Sequence, residues 1–477
     1  MKKQIIPFLF ITLILVSCNS QSEKESQLLQ ERISKVENGL QPNLQIKGDS
    51  IPFFNIESRM EQLGIPGVSI AMLKNGEIEW AKGYGMADKS ENRKVTPETM
   101  FLAASISKPV TAIRALQLAE SGKIDLDSNV NNYLSSWKLP DNEFTATEKV
   151  TTRRILNHTA GLTVSGFPGY LKGDSIPDVI GVLDGKGNTD PVRVYQEPGK
   201  SWMYSGGGYT LLQLMIMDID GKSFPETMQK NVLSPLEINA STFENPLPEK
   251  YHKLAATGYR ANGNEVKGKW PIYPEMAAAG LWTTPSQLIM WAKEIQQIYQ
   301  KQEDRILKKE MVNEMLTAGQ NDHGLGPGVH EHFFGHDGGD EGFRSKLVAW
   351  KDKPYAVVIM VNSDNGSIMQ EIMLSIVRAY DLPGFEPIVF AVEEQSKEKL
   401  MRFEGVYELP GLGNAQISVK ENGLELTAAF IETPAFLLPE SEFAFFEKGV
   451  GDYVEFIHEN GEITGFSVKG LKATKIE

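Results

Sequence analysis

The residue types that perform acyl transfer occur here in a suggestive order. Ser105 and Lys108 stand in a Ser-x-x-Lys spacing within Ser105-Ile106-Ser107-Lys108. A serine hydroxyl is a weak nucleophile until a neighbour takes its proton. A lysine three positions on returns to the same helix face one turn later, over that hydroxyl. The positive end of the helix dipole would act at the same place. The spacing alone is weak, since Ser135-Ser136-Trp137-Lys138 and Ser396-Lys397-Glu398-Lys399 repeat it. Only Ser105 opens a long apolar-periodic segment, Ile106 to Ala119, with Val110, Ile113, Leu116 and Leu118 near helical spacing. Pro109 falls in its first turn, where a missing N–H costs little.

Two further segments carry chemistry. Tyr204-Ser205-Gly206-Gly207-Gly208-Tyr209 follows a Pro198-Gly199 turn and precedes a helix. A phenol projecting from such a glycine-flanked loop, with a lysine nearby, would have a lowered pKa and could serve as a general base. Phe334-Gly335-His336-Asp337-Gly338-Gly339-Asp340-Glu341-Gly342-Phe343-Arg344-Ser345 is dense in glycine, which permits close backbone approach to a ligand. The N–H of Gly339 or a neighbour, paired with that of Ser105, would then make an oxyanion hole. Taken singly, the first segment also fits a tight turn with a half-buried tyrosine, and the second a glycine-rich hairpin. His158, in His158-Thr159-Ala160-Gly161, reads as the brace of a turn.

These residues need positioning elements. Val68 to Leu73, Asn75-Gly76 and Glu77 to Trp80 read as a hairpin, an Asn-Gly between two such runs being a strong turn signal. Helices are expected over Ile106–Ala119, Tyr209–Ile219 and Pro285–Tyr299, with Gly122 and Gly221 as stops for the first two. Lys346–Trp350 and Tyr355–Val361 read as buried strands around Asp352-Lys353-Pro354. Beyond Pro387, period-2 alternation with turns at Asn422-Gly423 and Asn460-Gly461 indicates a small antiparallel β domain.

In this order, Met100-Phe101-Leu102-Ala103-Ala104-Ser105, Leu156-Asn157-His158-Thr159-Ala160-Gly161-Leu162, Tyr204-Ser205-Gly206, Ala278-Ala279-Gly280-Leu281 and Gly335-His336-Asp337-Gly338-Gly339 resemble the serine β-lactamase and penicillin-binding-protein superfamily. The closest branch holds class C β-lactamases, DD-peptidases and esterase-like proteins. The resemblance spans about residues 50–380, with Asn362-Ser363-Asp364 adding to it, and the tail resembles a small β-barrel domain. It implies an α/β (α+β) fold: an antiparallel sheet flanked by helices with a helical subdomain, followed by a C-terminal antiparallel β-barrel. It implies Ser105 as acylated nucleophile, Lys108 as its activating neighbour and Tyr204 as proton relay. His336 would lie over the substrate carboxylate, where many relatives carry Lys. Gly206, Gly338 and Arg344 would face substrate, and backbone N–H groups of Ser105 and Gly339 would form the oxyanion hole. No cofactor and no metal are implied. Relatives often have Asn where this chain has Gly206; losing that donor favours an esterase or D-amino-acid peptidase over a β-lactamase. The alternatives are a true class C-like β-lactamase and a non-catalytic envelope module that binds a ligand or scaffolds a partner.

Composition narrows the rest. The 477 residues are 41% hydrophobic and 23% charged, an ordinary globular make-up. A net charge of −14 repels phosphate backbones, which argues against nucleic-acid binding. The one cysteine, Cys18, excludes an internal disulfide and a cysteine-based zinc site. Histidines at 330, 332 and 336 raise a metal hydrolase, but the His-Glu-x-x-His signature is missing. Lys2-Lys3, the apolar Ile5–Val16 run and Leu15-Val16-Ser17-Cys18 resemble a bacterial lipoprotein leader, with Cys18 lipidated. The expected plan is a leader over 1–17, a polar tether over 18–48, a hydrolase domain over 49–384, a linker over 385–398 and a barrel over 399–477. The chain is expected as a monomer, anchored by lipid to a bacterial envelope and acting on a small-molecule or peptide acyl substrate.

Overall fold

The computed structural model describes residues 9–431, 434–449 and 451–477, with side chains from residue 23 onward. The expected leader and the lipidation residue Cys18 therefore lie outside the described side chains. Among the described residues, no helix is long and apolar enough to cross a membrane. The chain divides into two compact units, residues 1–33 with 55–369, and residues 34–54 with 370–477.

The larger unit is built on a seven-stranded antiparallel sheet. Its spatial order is Arg93–Lys94, Glu77–Asp88, Gly67–Lys74, Tyr355–Val361, Phe343–Trp350, Phe333–Asp340 and Gly328–Val329. The expected hairpin is present, with Asn75 and Gly76 both at positive φ (54° and 80°), the conformation a two-residue hairpin turn demands. The central strands read as apolar runs because both faces are covered: every residue of Gly67–Leu73 and of Ala356–Val361 is buried. The Pro285–Lys301 helix covers one side, burying Leu288, Ile289, Trp291, Ala292 and Ile295.

The helical part carries the chemistry. A 3₁₀ turn, Ala104–Ile106, runs into the Ser107–Glu120 helix, so helical backbone begins two residues before the expected Ile106. The Gly206–Asp220 helix likewise starts before Tyr209, because Ser205 caps it by accepting from the Gly208 N–H at 2.9 Å. The three glycines expected in a loop thus form a helical first turn, and close approach explains them. A Cβ on Gly207 would lie 2.8 Å from both the Thr163 carbonyl oxygen and the Val192 side chain. A two-residue ladder, Phe101–Leu102 with Trp282–Thr283, ties the start of the Ser105 turn to the segment that follows the short Met276–Ala279 helix.

The smaller unit contains a closed eight-stranded antiparallel barrel running from Gly405–Leu409 to Leu471–Lys475, which closes as Tyr407 pairs with Lys475. Phe403, Tyr407, Phe445, Phe456 and Phe466 pack in its interior.

Candidate active site

The Ser105 turn is strained and held from several sides. Ala104 adopts φ +51°, a left-handed conformation that costs an alanine roughly 1 kcal/mol. It persists because its neighbours are fixed. The Ala103 N–H donates to the Leu281 carbonyl at 2.8 Å, the Ser345 hydroxyl donates to the Ala103 carbonyl at 2.8 Å, and the Leu281 N–H donates to Ser107 Oγ at 3.0 Å. Ser105 stands where the N–H groups of a helix's first turn have no intrahelical partner.

Lys108 is 2% exposed, and its Nζ donates to Ser105 Oγ at 3.0 Å and to the Ala278 carbonyl at 2.8 Å. The Ala278 carbonyl is placed in turn: Gln213, on the Gly206–Asp220 helix, accepts from the Ala277 N–H at 2.9 Å and donates to the Pro274 carbonyl at 3.0 Å. The ammonium also lies 4.9 Å from the centre of the Tyr204 ring. Ser105, Lys108 and Tyr204, far apart in sequence, are therefore assembled in one place.

His336 joins them, its ring centre 6.1 Å from that of Tyr204. Its Nδ1–H donates to the Asp337 carbonyl at 2.5 Å, which leaves Nε2 with a lone pair. Burial, followed by the Lys108 charge, takes its pKa down to about 4, so the imidazole is neutral at pH 7. Gly338 brings this strand against the Ser105 turn: a Cβ there would lie 2.3 Å from the Ala103 carbonyl oxygen and 3.2 Å from Ala104 Cβ. Gly339 is exposed next to it, and Gly328–Val329 covers only Phe334 and Gly335 on the outer edge of the strand. Among the described residues, no strand pairs with the outer edge beyond that cover, from His336 to Asp340.

Gly206 and Arg344 make contacts within the protein. Gly206 is buried, its N–H donating to the Ser165 carbonyl at 3.1 Å, and a Cβ there would meet Phe167 at 2.8 Å. The Arg344 guanidinium is held by the Asp340 and Phe343 carbonyls, each at 2.7 Å, and by Asp364 at 3.2 Å. His330 is exposed and stacks on Phe333. Among the described residues no group of three His, Cys, Asp or Glu side chains is arranged to hold a metal ion.

Behind Tyr204 lies a cluster that the sequence reading treated only as turn structure or did not use. His158 is fully buried with its ring centre 4.2 Å from that of Tyr204. It does brace the turn: its Nδ1 accepts from the Ser205 N–H at 3.2 Å and its carbonyl accepts from the Met203 N–H at 2.7 Å. His323 packs against both His158 (4.7 Å) and His336 (5.9 Å). Burial lowers His323 to about 3 and His158 well below its ordinary value, so both are neutral and keep the Lys108 charge undiluted. The available signal for His323 was its glycine-rich setting, His323-Gly324-Leu325-Gly326-Pro327-Gly328, just upstream of the His336 strand.

Residues 55–373 match the Beta-lactamase family, and the chain belongs to it. Among curated relatives, Protein flp of Staphylococcus aureus strain MW2 is 26% identical over 324 residues, covering 64% of this chain and 61% of that protein. The chain thus spans about three fifths of the length of these relatives. A teichoic acid D-alanine hydrolase of Staphylococcus aureus is 29% identical over 231 residues, 48% of this chain and 54% of that protein. Of solved structures, the octameric penicillin-binding protein homologue from Pyrococcus abyssi aligns over 88% of this chain and 98% of its own, with TM-score 0.60 and 22% identity. FmtA from Staphylococcus aureus aligns over 71% and 91%, with TM-score 0.55 and 22% identity. These likenesses establish the fold: a mixed helix and antiparallel-sheet domain with a closed C-terminal barrel.

Proposed function

We propose that the chain is a serine hydrolase that cleaves carboxylic esters in the cell envelope through an acyl-enzyme on Ser105. The observation that carries this is the Lys108 ammonium, bonded to Ser105 Oγ and set beside the Tyr204 ring. Ser105 Oγ attacks the ester carbonyl, and its proton passes to Lys108 as Lys108 gives one of its own to the Tyr204 oxygen, which acts in its deprotonated form. The carbonyl oxygen, now negative, is received by the backbone N–H groups of Ser105 and Gly339. Collapse breaks the bond to the alkoxide, which leaves with the proton from Tyr204. Water then attacks the acyl-serine, gives a proton to Tyr204 and releases the acid, and Ser105 recovers its proton.

Charge decides among acyl donors. A peptide or β-lactam with a carboxylate would meet a neutral His336 where a lysine would offer a full charge, so an ester is favoured. The relative named teichoic acid D-alanine hydrolase supports a D-alanyl ester and an envelope location. The Ile5–Val16 run ending at Cys18 supports delivery on a lipid anchor. The test is parallel hydrolysis of a D-alanyl ester, a short-chain aryl ester, a D-alanyl peptide and a chromogenic cephalosporin, with Ser105→Ala as control. Ester turnover absent from the variant is expected. Fast cephalosporin turnover would make this a β-lactamase, and a folded protein inert on all four would be a binding module.

A further inference from the structure

The carbonyl that shares Lys108 with Ser105 belongs to a helix too short to hold itself. Met276–Ala279 has four residues and few backbone bonds of its own. The Ala278 and Ala279 N–H groups both donate to the Glu275 carbonyl at 3.0 Å, and the Gly280 N–H donates to the Met276 carbonyl at 2.9 Å. So short a helix is marginal without outside partners. Its first N–H groups and last carbonyls have none within it.

Side chains from three other segments supply them. From the Ser107–Glu120 helix, Thr111 Oγ1 donates to the Ala277 carbonyl at 3.3 Å and Lys108 Nζ to the Ala278 carbonyl at 2.8 Å. Asn245 Nδ2 donates to the Gly280 carbonyl at 2.8 Å. Gln213 holds the opposite end. It is fully buried; its Oε1 accepts from the Ala277 N–H at 2.9 Å and its Nε2 donates to the Pro274 carbonyl at 3.0 Å. One amide thus spans two backbone groups three residues apart and fixes the entry to the helix, one residue before Ala278. Glutamine is seldom buried without such partners.

Gln213 also belongs to the right element. It lies in the Gly206–Asp220 helix, about two turns beyond the Ser205 cap that follows Tyr204. Its amide therefore ties the Lys108 acceptor to the helix that carries the phenol. The proton path needs Lys108 Nζ within reach of Ser105 Oγ and the Tyr204 oxygen together. A displaced Ala278 carbonyl would draw the ammonium off that line, and acyl transfer is sensitive to displacements of an ångström or less.

We propose that Gln213 is a positioning residue for acylation: through the Ala278 carbonyl it fixes the Lys108 ammonium on Ser105 Oγ, in register with Tyr204. This rests on the ester-hydrolase reading and adds to it a residue that acts from the interior.

The experiment is a double-mutant cycle on the full chain, read by single-turnover acylation with a short-chain aryl ester. Gln213→Met keeps the volume and removes both bonds. It should slow acylation about tenfold, below the roughly 10²-fold that an ångström of misplacement can cost, with the ester's dissociation constant within about twofold of the parent's. In a Lys108→Met background the same change should slow acylation less than about twofold, because its effect passes through the ammonium already removed. Gln213→Asn, one methylene too short to span both groups, should behave alike and takes the place of Gln213→Met if that variant does not fold. A loss that persists in full without Lys108 overturns the positioning role alone. So does acylation at the parent rate in the folded single variants, or a loss carried by weaker ester binding. No acylation of the parent chain overturns the ester-hydrolase reading, and the role with it.

Discussion

Gly206→Asn separates two accounts of this site. If the glycine simply lacks a donor that relatives possess, restoring Asn should improve recognition of an acylamino group and with it cephalosporin turnover. The packing indicates another outcome. A Cβ at 206 would stand 2.8 Å from Phe167 Cε2 and 3.2 Å from the Ser165 carbonyl oxygen. The ring would have to retreat by about 0.6 Å to reach ordinary contact at 3.4 Å. The backbone cannot retreat easily. The Gly206 and Gly207 N–H groups donate to the carbonyls of Ser165 and Val164 at 3.1 and 3.0 Å, and the Ser205 hydroxyl donates to the Thr163 carbonyl at 2.9 Å. Three hydrogen bonds, each contributing about 1 kcal/mol net, pin the 163–165 segment to this helix start. The strain should therefore fall on Phe167 and on the Tyr204 turn, at about 1–3 kcal/mol, the usual cost of overpacking. Thermal unfolding should show Gly206→Asn melting several degrees below the parent. Ester turnover should fall with it, without any gain on a chromogenic cephalosporin. Adding Phe167→Ala should recover much of the loss. A single variant as stable as the parent, or one gaining tenfold on the cephalosporin, would refute the steric reasoning and restore the missing-donor account.

Three more outcomes follow from the geometry. Lys108→Met keeps the volume but removes the donor to Ser105 and Ala278, and single-turnover ester assays should show acylation slowed by about 10²–10⁴ with the fold retained; acylation at the parent rate would exclude Lys108 from the proton path. Tyr204→Phe should slow acylation and deacylation together by a similar factor, and an effect on one step alone would assign the other to a different base. His323 titrates near 3 in the folded chain and near 6.5 when unfolded, so below pH 6.5 the unfolded state takes up its proton first and stability falls. Glu275, raised to about 7, works in the opposite sense, gaining stability as pH falls below 7. The comparison is therefore between proteins: His323→Asn should lose about 2 kcal/mol less than the parent between pH 7 and pH 5 in denaturant melts, and parallel losses would place a charged imidazole at 323.

How far the sequence could be read depended on the range of each interaction. Asn75-Gly76, the Pro285–Lys301 helix and the Asn-Gly hairpins of the barrel were legible because backbone sterics and period carry them within a few residues. The Ser105–Lys108 pair was legible for the same reason, as one helical turn. The packing at Gly206 was not legible: a Cβ there would meet Phe167, and no local pattern records which ring lies opposite a glycine. Arg344 is held by its own hairpin and Asp364, a partnership set by strand register. The clustered imidazoles depended on the longest range of all. His158, His323 and His336 come from a turn, a loop and a strand, and only assembly makes them neighbours.

That assembly governs the chemistry. A fold placing three imidazoles around one tyrosine could have made a cationic pocket, with each histidine sharing the Lys108 charge. Instead His158 and His323 are buried and His336 half-buried, and each has its pKa depressed, by desolvation first and by neighbouring positive charge second. Lys108 is left as the charged group in contact with the nucleophile, and Tyr204 as the phenol beside it. Proton traffic at pH 7 then has one short route between Ser105 and a leaving group. His158 and His336 shape that route by packing on Tyr204, and His158 fixes the turn that carries it, so His158→Ala should loosen the phenol's placement and lower turnover.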